Sequence, residues 1–200
     1  MVVPTDTPGL AVTPMHSVDL TRRFSELTFQ GVRVPTESVV GNPGGAGDEV
    51  AHQLQLALVI ATSESVGAMQ TSLGMTIEWA FDRYTFGRPL ASYQELKHRF
   101  ADMKMWLEAG HAISDAAAAA VASRSPGSDA LVSAAKAYVD DYGAELIQDC
   151  IQIHGGIGLT FEHDLHLYLR RHTMNRALYG TSAEHRQRIT AIVERGSDAA

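Results

Sequence analysis

The chain has 200 residues, of which 45% are hydrophobic, and a formal net charge of −7. These values fit one globular domain, or one domain with part of a second, and enough apolar residues for a real core. The 16 lysines and arginines are scattered along the chain, which argues against a nucleic-acid partner. The single Cys150 excludes an internal disulfide. The first residues do not have the pattern of a signal peptide, and no apolar stretch approaches the ~20 residues that a membrane-spanning helix needs. We therefore expect a soluble, cytoplasmic protein.

Residues 1–45 have the features of a small β segment. Apolar and polar residues partly alternate in residues 24–29 and 32–34, which is typical of half-buried strands, and turn signals such as Pro35 separate the apolar runs. Two or three strands are marginal without a covering partner. We expect this segment to be the remnant of a β domain that preceding strands or another chain complete.

A glycine-rich linker at residues 41–45 separates the β segment from a helical region, so a second domain is predicted at residues 46–200. The turn and capping signals divide this region into five predicted helices, at residues 48–83, 92–123, 128–153, 164–178 and 181–194. The sequence therefore predicts a mainly α fold, an antiparallel helical bundle preceded by a short β-strand fragment.

Two details of the helices follow from residue spacing. Ser92 with Glu95, and Thr181 with Glu184, have the spacing of capping boxes at the starts of the second and fifth helices. The periodicity of the first helix predicts one apolar face. Its members are Leu54, Leu58, Ala61, Val66, Met69, Leu73, Ile77 and Phe81.

Two short strings at predicted helix ends are candidates for a binding site. Residues 83–90 read RYTFGRPL, with Gln94 shortly after them, and residues 152–158 read QIHGGIG. Adjacent glycines at a helix end let a backbone approach a planar or charged ligand closely. Both strings also have a purely structural interpretation, because two glycines form a helix C-cap and Arg83 would be favourable at the negative end of a helix dipole. Spacing alone leaves these alternatives open.

Taken together and in this order, the two strings resemble the acyl-CoA dehydrogenase family. The helical domain of that family carries Arg-x-x-Phe-Gly-x-x-(Ile/Leu)-x-x-x-Gln, then Gln-x-x-Gly-Gly-x-Gly, then Glu-Gly-Thr-Ser. Residues 19–35 resemble the last strands of the family's β domain, so the resemblance covers nearly the whole chain. It implies a C-terminal helical bundle of this type and the α,β-dehydrogenation of an acyl-CoA thioester, with FAD as the hydride acceptor.

The resemblance also implies how a flavin nucleotide is held. In the family, this domain of one subunit reaches the adenosine diphosphate end of a neighbour's FAD. By matched position, Arg83 would pair with the pyrophosphate, and Thr181 would offer a hydroxyl or a helix N-terminal amide to an FAD phosphate, or would serve simply as the N-cap. The other matched positions near the nucleotide are Phe86, Gln94, Gln152, Gly155 and Gly156. The implied partners are acyl-CoA, electron-transfer flavoprotein as electron acceptor, and related chains in a homo- or hetero-oligomer.

The sequence departs from the family at the catalytic base, a carboxylate that removes a proton beside the thioester carbonyl. Tyr179 stands where most members have this glutamate, and a tyrosine with its usual pKa of about 10 is a poor base at neutral pH. Ala57 stands at the alternative base position on the first long helix, and Leu58 replaces an arginine beside the acyl-CoA. Glu64, about two turns beyond Ala57, is more simply a solvated or paired carboxylate. No residue is therefore assigned as the base.

Three other polar residues attract attention. Asp149, beside Cys150, is predicted to be structural. His163 and His166 are three residues apart and share a helix face if both are helical, but no second pair of ligands accompanies them. No metal site is predicted.

Two classes of function remain open. The chain is a subunit or fragment of a flavin-dependent acyl-CoA dehydrogenase of fatty acid or lipid degradation, or it is a non-catalytic structural subunit that supports oligomerisation in a mixed complex. Flavin binding that depends on Arg83 and Gly155 would favour the first class. A truncated form of an ordinary enzyme is a third interpretation, which an in-frame coding stretch upstream of Met1 would establish.

Overall fold

The computed structural model describes residues 1–197, with side chains described as far as residue 195. Strands β1 (Leu10–Met15) and β2 (Phe24–Phe29) form an antiparallel pair in which Leu10 lies opposite Phe29. Strand β2 was predicted, whereas the strand predicted at residues 32–34 is wrong, because Gly31 turns the chain out of the pair with a φ of 63°. The sequence did not indicate β1, since Pro14 lies inside it, and proline is tolerated only at a sheet edge such as this one.

The five predicted helices are confirmed, with ends within a few residues of the predicted ones. They are α1 (Gly47–Asp82), α2 (Gln94–Ala122), α3 (Ser128–His154), α4 (Leu165–Ala177) and α5 (Ser182–Ser197). Helix α3 packs against each of the other four. A short hairpin of strands β3 (Tyr84–Thr85) and β4 (Arg88–Pro89) joins α1 to α2. None of the described helices combines the length and the hydropathy that crossing a membrane requires.

Short connections make α1, α2 and α3 alternate in direction. The C-terminal ends of α1 and α3 and the N-terminal end of α2 therefore lie at the same end of the bundle. We call this the hairpin end, and it comprises residues 83–94 and 152–158. The two sequence strings thus meet in space although about 60 residues of chain separate them.

The core of the bundle consists of two apolar clusters. The larger lies among α1, α2, α3 and α4 and includes Met69, Met103 and Leu146, none of which is exposed. The smaller lies toward the opposite end and includes Leu58 and Val132. At about 25 cal/mol for each Å² of apolar surface removed from water, this burial is what holds the helices together.

The predicted apolar face of α1 is confirmed in its centre and wrong at its ends. Leu58, Ala61, Val66, Met69 and Leu73 are buried. In contrast Leu54, Ile77 and Phe81 are 46%, 38% and 64% exposed. These three border open clefts, because Ile77 and Phe81 line an apolar groove of about 290 Å³ beside the hairpin end, and Leu54 lines a cleft at the other end.

One predicted capping box is confirmed and the other is wrong. At the start of α5, the Thr181 N–H donates to Glu184 Oε2 at 2.7 Å, and the Glu184 N–H donates to Thr181 Oγ1 at 3.4 Å. Helix α2 instead begins at Gln94 without a side-chain cap. Ser92 does not cap α2, because it lies in a 3₁₀ turn and its hydroxyl donates instead to the Pro89 carbonyl at 2.7 Å.

The β segment is attached to the bundle by polar contacts. Arg22 Nη2 lies 2.8 Å from Glu64 Oε2 on α1, and Arg171 of α4 pairs with both Glu64 and the buried Asp19. Arg170 donates to the Val18 carbonyl at 3.1 Å. Nearly all side chains of β1 and β2 are exposed, so the strands add little to the apolar core.

Candidate functional site

The β3–β4 hairpin presents an aromatic ring to the outside. Phe86 and Gly87 have φ angles of 51° and 80°, the positive pair that a type I′ hairpin turn requires. A non-glycine residue in this region is strained by about 1 kcal/mol, and the Phe86 residue is 98% exposed. The Tyr93 hydroxyl donates to the Thr85 carbonyl at 2.8 Å, and the Arg88 guanidinium lies 3.7 Å above the Tyr93 ring. The hairpin is thus fixed at its base while its strained tip faces outward.

Arg83 lies at the C-terminus of α1, immediately before the hairpin. Its guanidinium lies 5.9 Å from the Trp79 ring and is exposed. Among the described residues it has neither a carboxylate partner nor a side-chain hydrogen bond. A planar fork of five free N–H donors suits a phosphate or pyrophosphate group.

The C-terminus of α3 forms an open backbone surface at the same end. Gly155 has a φ of 68°, which favours glycine, and a Cβ added at Gly155 or Gly156 would have no neighbour within 4 Å. These glycines therefore leave free space beside the backbone. Gly158 differs, because a Cβ there would lie 2.8 Å from the Ile151 carbonyl oxygen, so its role is packing.

Two side-chain contacts fix the segments of the hairpin end relative to one another. The Trp79 ring stacks on His154 at 5.2 Å, which joins α1 to α3. His154 Nδ1 donates to the Cys150 carbonyl at 2.8 Å, and burial lowers the pKa of His154, which favours the neutral imidazole. Arg99 Nη2 donates to Asp149 Oδ1 at 2.8 Å, which joins α2 to α3.

Asp149 has the structural role that was expected. Burial raises the pKa of its carboxyl group, and the charge of Arg99 acts in the opposite direction. Its ion pair lies one turn of α3 before Gln152 and about one turn of α2 after Gln94. The two exposed amides are thereby held at neighbouring helix ends.

The structure brings six of the seven predicted cofactor residues together at the hairpin end. They are Arg83, Phe86, Gln94, Gln152, Gly155 and Gly156. Thr181 lies elsewhere, at the start of α5, where Arg186 of the same helix pairs with Asp141 of α3. Asp141 and Gly155 are separated along α3 by roughly 20 Å at 1.5 Å per residue. Thr181 therefore belongs to a second surface of the bundle.

The two family base positions hold no carboxylate. Tyr179 is 45% exposed in a turn with a φ of 63°, and its carbonyl accepts a hydrogen bond from His185 Nε2 at 3.1 Å. Ala57 lies on α1, and the next residue, Leu58, points into the core with 2% exposure. Glu64 accepts from Arg22, Arg171 and the Asn175 amide, so its carboxylate is paired rather than free.

His163 and His166 do not form a ligand pair. His163 precedes α4, its Nδ1 accepts the Leu165 N–H at 3.2 Å, and its ring packs against His154 at 4.5 Å. His166 instead packs against Phe161 at 4.6 Å. Across residues 1–197, no group of three or more His, Cys, Asp or Glu side chains is placed to hold a metal ion.

Sequence reasoning missed the residues that support the site. Trp79 lies four residues before Arg83, hence one turn back on the same helix face, and this spacing was the available signal for it. The contacts of Arg88 with Tyr93 and of Arg99 with Asp149 had no comparable signal, since they depend on the path of the hairpin and on the packing of α2 against α3.

Comparisons with known proteins agree with the resemblance found in the sequence. The family model described as the C-terminal domain of acyl-CoA dehydrogenase matches residues 50–193. Acyl-CoA dehydrogenase IpdE2 of Mycobacterium tuberculosis is 35% identical over 164 residues, which are 79% of this chain and 44% of that protein. Butyryl-CoA dehydrogenase from Megasphaera elsdenii has a similar structure, with a TM-score of 0.87 and 25% identity over 96% of this chain and 50% of that one. The structure of PigA with FAD and proline gives a TM-score of 0.88 and 25% identity, with the same coverage. The chain spans about half the length of these relatives.

Proposed function

The chain belongs to the acyl-CoA dehydrogenase family, and from this premise we propose that it is a subunit or fragment of an FAD-dependent enzyme that dehydrogenates an acyl-CoA thioester. In this proposal residues 46–200 are the C-terminal helical domain and residues 1–45 are the end of the preceding β domain. The enzyme acts in fatty acid or lipid degradation in the cytoplasm and passes electrons to an electron-transfer flavoprotein.

The observation that carries the proposal is the exposed set of groups at the hairpin end. The free guanidinium of Arg83 fits the pyrophosphate of FAD, and the uncrowded backbone at Gly155 and Gly156 admits a close contact with the nucleotide. The amides of Gln94 and Gln152 offer donors and acceptors beside them. The donors and the open space therefore suit the adenosine diphosphate part of FAD.

A partner chain completes this site in our proposal. The ring of Phe86 is almost fully exposed on a strained turn, and Phe81, near the end of α1, is 64% exposed. Apolar side chains presented together at one surface mark a contact with another molecule. The second surface lies at Thr181, at the N-terminal end of α5, where an FAD phosphate would replace the Glu184 carboxylate as the acceptor for the Thr181 hydroxyl and N–H.

We propose that the catalytic base comes from a partner chain. When bound, FAD accepts the hydride from the β carbon of the substrate. Removal of the proton requires a carboxylate, and the matched positions hold Tyr179 and Ala57 while Glu64 is paired with two arginines. This chain thus contributes nucleotide-binding groups to a mixed oligomer of acyl-CoA dehydrogenase-like chains.

The experiment is to co-express the chain with full-length acyl-CoA dehydrogenase-like chains from neighbouring genes and to measure flavin absorbance of the purified complex. Arg83→Gln should lower its flavin content. Arg124→Gln is the matched control, because Arg124 is also an exposed arginine at a helix end but lies at the opposite end of the bundle and is loosely paired with Glu49 at 3.7 Å. Equal flavin content in the two variants would contradict the proposal.

A second candidate function is that of a non-catalytic structural subunit, which the absence of a carboxylate at both base positions favours. In that case the chain assembles with its partners, and flavin binding is the same with or without Arg83 and Gly155. The substitution Tyr179→Glu tests the source of the base, because activity of the complex should remain dependent on the partner's own base if that base comes from the partner.

A further inference from the structure

Lys136 of α3 is a fully buried lysine with a specific set of partners. It is 1% exposed, and its Nζ donates to Asp140 Oδ1 at 2.9 Å and to the backbone carbonyl of Asn175 at 2.6 Å. Buried lysines are rare unless paired, and an apolar pair of similar volume can often replace a buried ion pair without loss of stability. The contact with Asn175 is therefore the informative one, since an apolar pair would not reproduce it.

Asn175 lies in the last turn of α4, where backbone carbonyls lack partners within the helix. The ammonium group of Lys136 satisfies one of these carbonyls from a different helix, and a positive charge is also favourable at this end of the helix dipole. On the other side, Asn175 Nδ2 donates to Glu64 Oε2 at 3.0 Å and to Ser65 Oγ at 3.1 Å on α1. The end of α4 is thus held from both α3 and α1.

The turn that follows carries the two residues of the second surface. Tyr179 and Gly180 have φ angles of 63° and 105°, and Thr181 opens α5 directly afterwards. Glycine adopts a positive φ without strain, whereas Tyr179 is strained there and keeps this conformation only because neighbouring structure determines it. The Leu178 N–H donates to the same Asn175 carbonyl at 3.2 Å, so the turn begins at the group that Lys136 binds.

We propose that Lys136 is a positioning residue, whose ammonium group fixes the end of α4 at Asn175 and thereby sets the turn at residues 178–181. Its effect on flavin rests on the proposed function, in which Thr181 faces FAD. Its effect on the turn depends only on the geometry of this chain.

The test compares Lys136→Met with the double variant Lys136→Met/Asp140→Leu by hydrogen exchange and mass spectrometry. The single variant leaves a buried carboxylate unpaired and should be destabilised globally. The double variant should regain most of the thermal stability, while amides of residues 178–185 exchange roughly tenfold faster than in the wild type because the Asn175 carbonyl has lost a charged partner. Amides in α2 should be unchanged.

The matched control is Lys104→Met/Glu108→Leu, which removes a Lys–acid pair of the same i,i+4 spacing on the exposed face of α2. It should leave exchange at residues 178–185 unaltered. If the Lys136 double variant also leaves that exchange unaltered, Lys136 is only a buried charge and the proposal is overturned.

A measurement on the wild type covers the case in which neither variant folds. In protein labelled with ¹⁵N-lysine, the Nζ protons of Lys136 should be protected from solvent exchange and visible by NMR at neutral pH; rapid exchange would overturn the proposal. Flavin binding by the complex then tests the effect of Lys136 on FAD separately from its effect on the turn. Faster exchange with unchanged FAD affinity supports positioning of the turn and contradicts a flavin contact by Thr181.

Discussion

The substitution Gly143→Ala tests the packing of α3 against α4. A Cβ at Gly143 would lie 2.5 Å from Cε1 and 3.0 Å from Nε2 of His172, which is fully buried. Overpacking of this kind costs about 1–3 kcal/mol, and displacing the imidazole also breaks its hydrogen bond to the Asp140 carbonyl. Alanine recovers up to about 1 kcal/mol through its helix propensity. The net loss of about 1–2 kcal/mol should lower Tm by roughly 2–8 °C for a chain of this size.

The assay is thermal unfolding followed by circular dichroism, with Gly74→Ala as the control. Gly74 is exposed in the middle of α1, and a Cβ there would have no neighbour within 4 Å. The same substitution should therefore stabilise the protein by about 0.5–1 kcal/mol and raise Tm by a few degrees. If Gly143→Ala is as stable as Gly74→Ala, the close approach of α3 to His172 is not as described.

Three further predictions concern titration, thiol chemistry and capping. Burial lowers the pKa of His172 to about 4, so the unfolded state, with a pKa of about 6.5, binds more protons between these values. The contribution of His172 to the free energy of unfolding is fully present above pH 6.5 and falls by about 3 kcal/mol as the pH drops to about 4. In urea titrations, the difference in unfolding free energy between the wild type and His172→Asn should therefore become smaller over this pH range. Burial raises the pKa of the Cys150 thiol to about 12, so a disulfide reagent at pH about 8 should label it only after unfolding, and rapid labelling of the native chain would refute its burial. Thr181→Ala removes the cap of α5 and should lower stability by about 1 kcal/mol in the same urea titrations, whereas no change would mean that the cap is not formed.

The ends of the helices could be predicted closely because the residue types at those positions determine them. Gly155 closes α3, and Thr181 with Glu184 opens α5, as expected from spacing alone. The start of α2 was misplaced because the hydroxyl of Ser92 binds the Pro89 carbonyl, a competition within one 3₁₀ turn that residue spacing does not reveal.

The candidate site was predictable only as separate strings. Motif order indicated the residues, while their meeting at the hairpin end depends on the alternating directions of three helices. The separate placement of Thr181 depends on the short length of α4, which ends beside the middle of α3. Exposure of Ile77 and Phe81 follows from the groove beside the hairpin, and periodicity within α1 contains no information about that groove.

The polar attachment of the strands to the helices has a thermodynamic consequence. Arg22, Glu64, Arg171 and Asp19 hold the two parts together through charges. The partly exposed pair of Arg22 with Glu64 weakens as salt rises, whereas the pair that includes the buried Asp19 is screened less. Separation of the strands from the bundle would uncover little apolar surface and so would change the heat capacity little. The large heat-capacity increase on unfolding should thus come from the helices. In scanning calorimetry at increasing ionic strength, separation of the strands and unfolding of the helices should occur at different temperatures.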